Sequence, residues 1–208
     1  MIALFNYFVK ITGWLPAKII FRWKIKYEDK KVQSRRLKGP SIIISNHTSV
    51  YDYAVFLFVY FFRTLRYQMA EVLYKKKLLG LFLKCMGGIY VNRDTYDFSF
   101  MDKSKKILSK GGVVGIFPES RLPKKGESSP LPFKESAALL ALETGVKIIP
   151  TYITGGYFKK KRIGVLIGKP INVRDYYDAS INEKENVKNI TNILRSKIIE
   201  LGKLYEKK

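Results

Sequence analysis

Short apolar segments rich in β-branched residues alternate along this chain with longer segments of helical pattern. Residues 41–45 and 113–117 are too short for buried helices and are followed by polar residues, so they are predicted to be buried strands. Residues 50–62 and 135–144 are predicted to be buried helices, and residues 183–205 a final amphipathic helix. Strands that alternate with helices predict an α/β fold, a sandwich around one sheet.

Three further segments have weaker strand patterns. Residues 23–27 alternate in polarity and are predicted to be an edge strand, and residues 171–174 are another strand candidate. Residues 147–153 also read as a strand, but Pro150 lacks the N–H that a ladder needs. A central position for this strand is therefore not expected.

The charge of the chain restricts its partners more than its size does. The 208 residues contain 39 Lys and Arg against 17 Asp and Glu, a formal net charge of +22. A chain so basic is drawn to polyanions, so nucleic acid, an anionic membrane surface and an acidic carrier protein are candidate partners. Cys85 is the only cysteine, which excludes an internal disulfide, and the absence of a Cys/His cluster argues against zinc.

The first 22 residues combine large apolar side chains with interspersed lysines. Gly13 and Pro16 predict a break, so we expect two short helices in residues 1–22 that lie in a bilayer interface, ahead of a folded domain at 23–208. The alternative is a helix packed on the protein's own core. The segment lacks a signal-peptide pattern and the chain has no uninterrupted apolar run of about 18–20 residues. We expect the bulk of the protein on the cytoplasmic side.

His47, the only histidine, follows the first buried strand, and Asp52 comes five residues later. Inside a regular helix, residues five apart lie about 140° apart around the axis, too far for a hydrogen bond. His47 can meet Asp52 only from the corner before the helix, which Thr48 or Ser49 is expected to cap. The carboxylate would then fix the imidazole tautomer and leave the other nitrogen to accept a proton from a substrate. Alternatively, His47 bonds backbone and Asp52 is placed by the helix dipole.

Two more predicted strands end in polar corners, at residues 92–93 and 119–121. Strand ends of α/β folds gather into one crevice, so we expect these corners to converge with His47. Two arginine forks, Arg93 and Arg121, suit a phosphate. Without a Ser or Cys nucleophile in a sharp elbow, the pattern indicates acyl transfer to a hydroxyl of a phosphate-bearing molecule. Taken singly, each arginine is more commonly a surface ion-pair residue.

These motifs resemble those of the 1-acylglycerol-3-phosphate acyltransferases, the lysophospholipid acyltransferase family. The resemblance covers about residues 41–153, with four family blocks in order. The blocks are His-x-x-x-x-Asp from His47 to Asp52, Gly-Gly-Ile-Tyr-Val-Asn-Arg at 87–93, Phe-Pro-Glu-Ser-Arg at 117–121, and Val-Lys-Ile-Ile-Pro at 146–150. The third block is usually Phe-Pro-Glu-Gly-Thr-Arg, so Ser120 stands where Gly-Thr is usual and the loop is one residue shorter.

The resemblance implies a glycerolphosphate acyltransferase-like fold, a mixed sheet flanked by helices. It implies transfer of a fatty acyl group from a thioester of coenzyme A or acyl carrier protein to a lysophospholipid hydroxyl, giving phosphatidic acid from 1-acylglycerol-3-phosphate. His47 would be the base and Asp52 its orienting acid, with no metal or cofactor. The residues expected to bind substrate or steady the oxyanion are Asn46, Arg93, Glu119, Ser120, Arg121 and Lys134.

From the basic charge, the apolar amino-terminal segment and the missing signal-peptide pattern, we expect the protein on an anionic membrane surface at the cytoplasmic face of the cell membrane. The alternative is a basic membrane-surface or nucleic-acid-binding protein without catalysis. We do not expect nucleic acid as a partner, because the aromatic residues cluster in apolar runs instead of alternating with basic ones.

Overall fold

The computed structural model describes residues 1–93, 97–159 and 162–207. Within these ranges the strands are β1 (Lys24–Tyr27), β2 (Ser41–Ser45), β3 (Leu65–Ala70), β4 (Ile89–Val91), β5 (Val113–Ile116), β6 (Ile148–Ile153) and β7 (Gly164–Ile167). The helices are α1 (Ile2–Phe21), α2 (Asp52–Val59), α3 (Glu71–Tyr74), α4 (Lys77–Cys85), α5 (Ser99–Ser109), α6 (Ser136–Thr144) and α7 (Glu183–Lys207).

All these strands form one mixed sheet in the order β1-β7-β6-β2-β5-β3-β4. The strands β2 to β6 run parallel to one another, whereas β1 and β7 run the opposite way because β7 pairs antiparallel with β6. The predicted α/β fold with a mixed sheet flanked by helices is confirmed. One edge of the sheet therefore carries the ends of β2 to β6 and the beginnings of β1 and β7, and we call it the carboxyl edge.

In the described part of the chain, hydrophobic cores lie on both faces of the sheet. Ile42 and Ile44 of β2 face the core that α5, α6 and α7 complete, whereas Ile43 faces the core that α1 and α2 complete. Strands β2 and β5 are buried over their whole length. Burial on both faces explains why these strands are continuous apolar runs and not alternating ones.

Pro150 lies in β6, an interior strand, contrary to the expectation from its missing N–H. In an extended strand the N–H and C=O of one residue point to the same side. The Pro150 carbonyl accepts from Gly168 N at 2.8 Å, so its nitrogen also faces the β7 side. There β7 has already ended at Ile167, whose partner is Thr151. The proline therefore costs β6 no hydrogen bond to β2.

The strand predicted at 171–174 is wrong. Ile171 makes only an isolated bridge to Ile148, and Val173–Tyr176 is a 3₁₀ helix. Asn172 accounts for the difference, because its side-chain oxygen accepts from Arg174 N and starts the turn.

The amino-terminal segment forms one helix, α1, and the predicted break into two helices is wrong. Gly13 is a packing residue and not a breaker, since a Cβ there would lie 3.1 Å from the Phe58 ring. Pro16 stands inside the helix, whose last turn continues to Phe21. One side of α1 is buried through Asn6, Lys10 and Ala17. The other side exposes large apolar residues, namely Leu4, Phe8, Ile11, Leu15, Ile19 and Ile20.

Neither alternative for this segment excludes the other, because α1 packs on the protein with one side and presents an apolar surface with the other. Across the described residues, no helix combines the length and the apolarity that a membrane crossing needs.

Lys10 connects α1 to the end of α2 by hydrogen bonds. Its ammonium is buried and donates to the carbonyls of Phe61 at 3.0 Å and Arg63 at 2.6 Å. These carbonyls follow the last turn of α2, where a cation is favourable to the helix dipole. Burial nevertheless lowers the pKa of Lys10 from 10.5 to about 8.

This lowered pKa predicts a stability that depends on pH. Between about pH 8 and 10.5 the unfolded chain binds the Lys10 proton and the folded chain does not, so stability rises with pH. Relative to a Lys10→Met variant, the wild-type free energy of unfolding should rise by up to about 1.4 kcal/mol per pH unit in this window. Urea unfolding measures it, with Lys188→Met as an exposed control. A pH-independent difference between wild type and Lys10→Met would contradict the assignment.

Candidate active site

The corner after β2 is held to the end of β6 by Asn46. Its side-chain amide donates to Ile153 O and accepts from Ile153 N, both at 2.9 Å. Asn46 is only 1% exposed. The structure therefore places this residue behind the corner, as a bridge between two strand ends at the carboxyl edge.

Asp52, the first residue of α2, is fully buried and collects hydrogen bonds from the corner before it. Its carboxylate accepts from Thr48 N at 2.6 Å, Thr48 Oγ1 at 3.0 Å and Ser49 N at 2.9 Å. The expected side-chain cap is not found, because neither Thr48 nor Ser49 caps α2 with its side chain. Both residues instead donate hydrogen bonds to Asp52. The acid thereby folds the corner back onto the helix, which brings His47 within reach.

His47 meets Asp52 as the five-residue spacing requires. Nδ1 of His47 lies 2.9 Å from Oδ2 of Asp52, and the ring stacks on Phe117 with centroids 4.1 Å apart. The histidine side chain is 18% exposed. A carboxylate that accepts from Nδ1–H leaves the lone pair on Nε2, the nitrogen that can take a proton.

Glu119 connects the third corner to the first. Oε1 accepts from His47 N and from Ser129 Oγ, and Oε2 accepts from Leu131 N, each at 2.7 Å. The residue is 3% exposed. These contacts place its carboxylate behind His47, where it fixes the backbone of the corner and the 129–131 loop.

Arg93, from the second corner, reaches the third. Its guanidinium pairs with both carboxylate oxygens of Glu71 at 2.9 and 3.1 Å and donates to Ser120 O at 3.0 Å. This hydrogen bonding lowers the pKa of Glu71 to about 2. Ser120 itself has a φ of 60°, the left-handed region in which glycine is common. The shortened loop is thus tied directly to the arginine of the second block.

Arg121 and Lys134 lie toward solvent. The Arg121 guanidinium forms a two-pronged pair with Glu127 of its own loop at 2.6 and 2.8 Å, and this pairing lowers the pKa of Glu127 to about 2. Lys134 is exposed and its backbone N donates to Pro118 O. The structure therefore gathers His47, Asp52 and Glu119 closely, with the two arginines farther out along the same edge.

Tyr157 is a residue of the site that no sequence motif indicated. Its hydroxyl donates to Asp52 Oδ1 at 2.5 Å, and burial together with the Asp52 charge raises the pKa of Tyr157. Gly155 allows the approach, because it has a φ of 69° and a Cβ there would lie 2.8 Å from Thr48 Oγ1. The only available signal was the glycine pair at 155–156, which marks a turn just after β6.

Phe117 and Glu71 complete the set that was missed. Phe117 belongs to the third block, but its stacking on His47 has no sequence signature, and Glu71 lies outside every block. Over the ranges that the structure describes, His, Cys, Asp and Glu side chains nowhere gather in threes that would hold a metal ion.

A family model described as acyltransferase matches residues 24–154, a segment that contains all four blocks. The chain belongs to the acyltransferase family. This confirms the family resemblance and the enzyme class.

Relatives from three bacteria extend the comparison. The chain is 28% identical over 142 residues to the 1-acyl-sn-glycerol-3-phosphate acyltransferase of Bacillus subtilis, covering 66% of this chain and 68% of that protein. It is 26% identical over 200 residues to the protein of the same name from Borreliella burgdorferi, covering 92% and 75%. The crystal structure of the 1-acyl-sn-glycerophosphate acyltransferase of Thermotoga maritima shares the fold, with a TM-score of 0.61 at 18% identity over 97% of this chain and 95% of that one.

Tyr157 provides a test of how the acyltransferase site is positioned. Tyr157→Phe removes one donor to the buried Asp52 carboxylate while keeping the ring. Hydrogen bonds to charged groups contribute about 1.5–3 kcal/mol, so we expect acyl-transfer kcat to fall about tenfold or more with little change in KM. Tyr152→Phe, on the opposite side of β6 near Tyr205, is the matched control. A wild-type kcat in Tyr157→Phe would rule out this positioning role.

Proposed function

We propose that this acyltransferase moves a fatty acyl group from an acyl thioester to the free hydroxyl of a lysophospholipid. The proposed acceptor is 1-acylglycerol-3-phosphate, and the product is then phosphatidic acid. The His47–Asp52 contact at the carboxyl edge carries the proposal, because it supplies a base without a protein nucleophile. The names of the bacterial relatives support the choice of acceptor.

In this mechanism Nε2 of His47 takes the proton of the acceptor hydroxyl as its oxygen attacks the thioester carbonyl carbon. A carbon–oxygen bond forms, the carbon–sulfur bond breaks, and the proton on His47 passes to the departing thiolate. Asp52 holds the tautomer and stabilises the transient imidazolium. Backbone N–H groups are proposed to steady the oxyanion, since the Asn46 amide is already bonded to Ile153.

Asn46, Glu119 and Tyr157 are proposed as positioning residues. Each is bonded to backbone or to Asp52, and the first two are almost fully buried. Glu119 is among the residues that the resemblance assigns to substrate binding. Its three protein donors instead favour a role in holding the His47 backbone.

The acceptor phosphate is proposed to bind at the β4 side of the site. Arg93 and Arg121 are partly exposed, the Arg93 guanidinium donates to Ser120 O, and Arg121 is the next residue of the chain. Both can therefore turn a fork toward a phosphate. In the structure, Glu71 pairs with Arg93 and Glu127 pairs with Arg121. Ser120 and Lys134 are further candidates for contact with the phosphate. A phosphate carries up to about two negative charges and three acceptor oxygens, so it can replace a glutamate as the partner of each arginine.

The membrane is proposed to approach through α1. Phe21, at the end of this helix, contacts the rings of Tyr51 and Tyr157 with centroids 5.9 and 5.8 Å apart. Because Tyr157 bonds Asp52, the end of α1 adjoins the His47–Asp52 pair. The exposed apolar side of α1 would enter the interface of an anionic membrane, at its cytoplasmic face. Both donors considered, acyl-coenzyme A and acyl carrier protein, are anionic and suit the net charge of +22.

The base is tested directly by His47→Ala. Loss of a general base should lower kcat by about 10²–10⁴-fold. Thermal unfolding should still show one cooperative transition, because four of the five donors to Asp52 remain in the variant. The assay follows release of free thiol with lysophosphatidic acid and either thioester donor. A panel of lysophospholipids in the same assay tests the acceptor. Full activity of His47→Ala, or a wild type that releases thiol with no lysophospholipid, would contradict the proposed function.

A further inference from the structure

A cavity of about 320 Å³ opens beside α1, apart from the residues of the active site. It is lined by Trp14, Lys18, Trp23, Lys24, Ile25, Arg35 and Arg162, and we call it the cationic cavity. Lys24 begins β1 and Arg162 precedes β7. Because both strands begin at the carboxyl edge, the cavity lies at the same edge as His47. In the sheet order it is on the β1 side, whereas Arg93 is at the β4 end.

Every charged side chain that lines the cavity is basic. Burial lowers the pKa of Lys18, and the nearby charges of Arg162 and Arg35 lower it further. Like charges brought together in the folded state repel one another, and a bound anion relieves that repulsion. The cavity therefore has the electrostatics of an anion site.

The wall of the cavity that Trp23 and Lys18 form is held by contacts within the protein. Trp23 is buried and stacks on Phe58 with centroids 5.7 Å apart. Lys18 donates to Trp23 O at 2.8 Å, and its ammonium lies 4.5 Å from the centre of the Trp23 ring. One of the three ammonium hydrogens is used in this bond. Preformed walls reduce the entropy cost of binding.

The position of the cavity indicates which anion it meets. Trp14 and Lys18 are one turn apart on α1, and Ile11, Leu15 and Ile19 beside them in the helix are exposed. Tryptophan and lysine are the residues that lie at the head-group level when a helix rests in a bilayer interface. A phosphate that is carried by a lipid would thus arrive at this cavity as the apolar side chains enter the membrane.

We propose that the cationic cavity binds the phosphate head group of an anionic membrane phospholipid, at a site separate from that of the acceptor. The inference rests on the proposed interfacial placement of α1. Binding there orients the helix, and through Phe21 it keeps the active-site opening at the membrane surface.

The experiment compares two variants of equal charge change. Lys24→Gln with Arg162→Gln alters the cavity, and Lys184→Gln with Lys188→Gln alters exposed positions on α7. Cosedimentation with phosphatidylcholine vesicles that contain phosphatidylglycerol measures binding. The cavity variant should bind roughly tenfold or more weakly than wild type, and the α7 variant less than threefold more weakly. Equal losses in both variants would show a general charge effect and overturn the proposal.

Two further arms separate the possible failures. In neutral detergent micelles the cavity variant should keep the wild-type KM for acyl-coenzyme A, and a raised KM would assign the cavity to the donor's phosphates instead. Ile11→Ser with Leu15→Ser should lose vesicle binding while the cavity stays intact. If that variant binds like wild type, the interfacial placement itself fails, and the inference fails with it. If only the cavity variant binds normally, the placement stands and the cavity proposal is wrong.

Discussion

The buried carboxylate of Asp52 is the interaction on which the site depends. Removing a carboxylate from water is costly unless donors replace the water. Here five donors from four residues do so, and they come from the corner after β2 and the loop after β6. The requirement to satisfy this one charge folds the corner back over α2 and brings Nδ1 of His47 to the carboxylate. In the proposed mechanism the same contact orients the base, so catalytic orientation and local folding would have one physical cause.

The corners are joined to one another by side chains that form hydrogen bonds with backbone groups of a neighbouring strand end. Asn46 binds both backbone groups of Ile153, Glu119 accepts from His47 N, and Arg93 donates to Ser120 O. Each contact crosses from one strand end to another along the carboxyl edge. A change in the length of one corner, as in the shortened third block, therefore alters contacts with the neighbouring corners. The geometry of the site depends on several strand ends at the carboxyl edge and not on one motif alone.

The sequence allowed the α/β fold, the buried strands and the meeting of His47 with Asp52 to be predicted, because each depends on local pattern or spacing. Tyr157 and Glu71 were not predicted, since each contacts a site residue more than 20 residues away in the chain. Local sequence patterns do not indicate such contacts. The continuity of α1 was missed for a related reason. Gly13 reads locally as a breaker, but its role is set by Phe58, which lies in another helix.

The claim that Asp52 sets the tautomer of His47 is tested most directly by nitrogen NMR. Because His47 is the only histidine, protein labelled with ¹⁵N-histidine reports on one imidazole. In the neutral ring we expect a protonated Nδ1 and an unprotonated Nε2, and we expect Asp52→Asn to lose this preference. A wild-type spectrum with the proton on Nε2 would leave no base facing the substrate and would contradict the account.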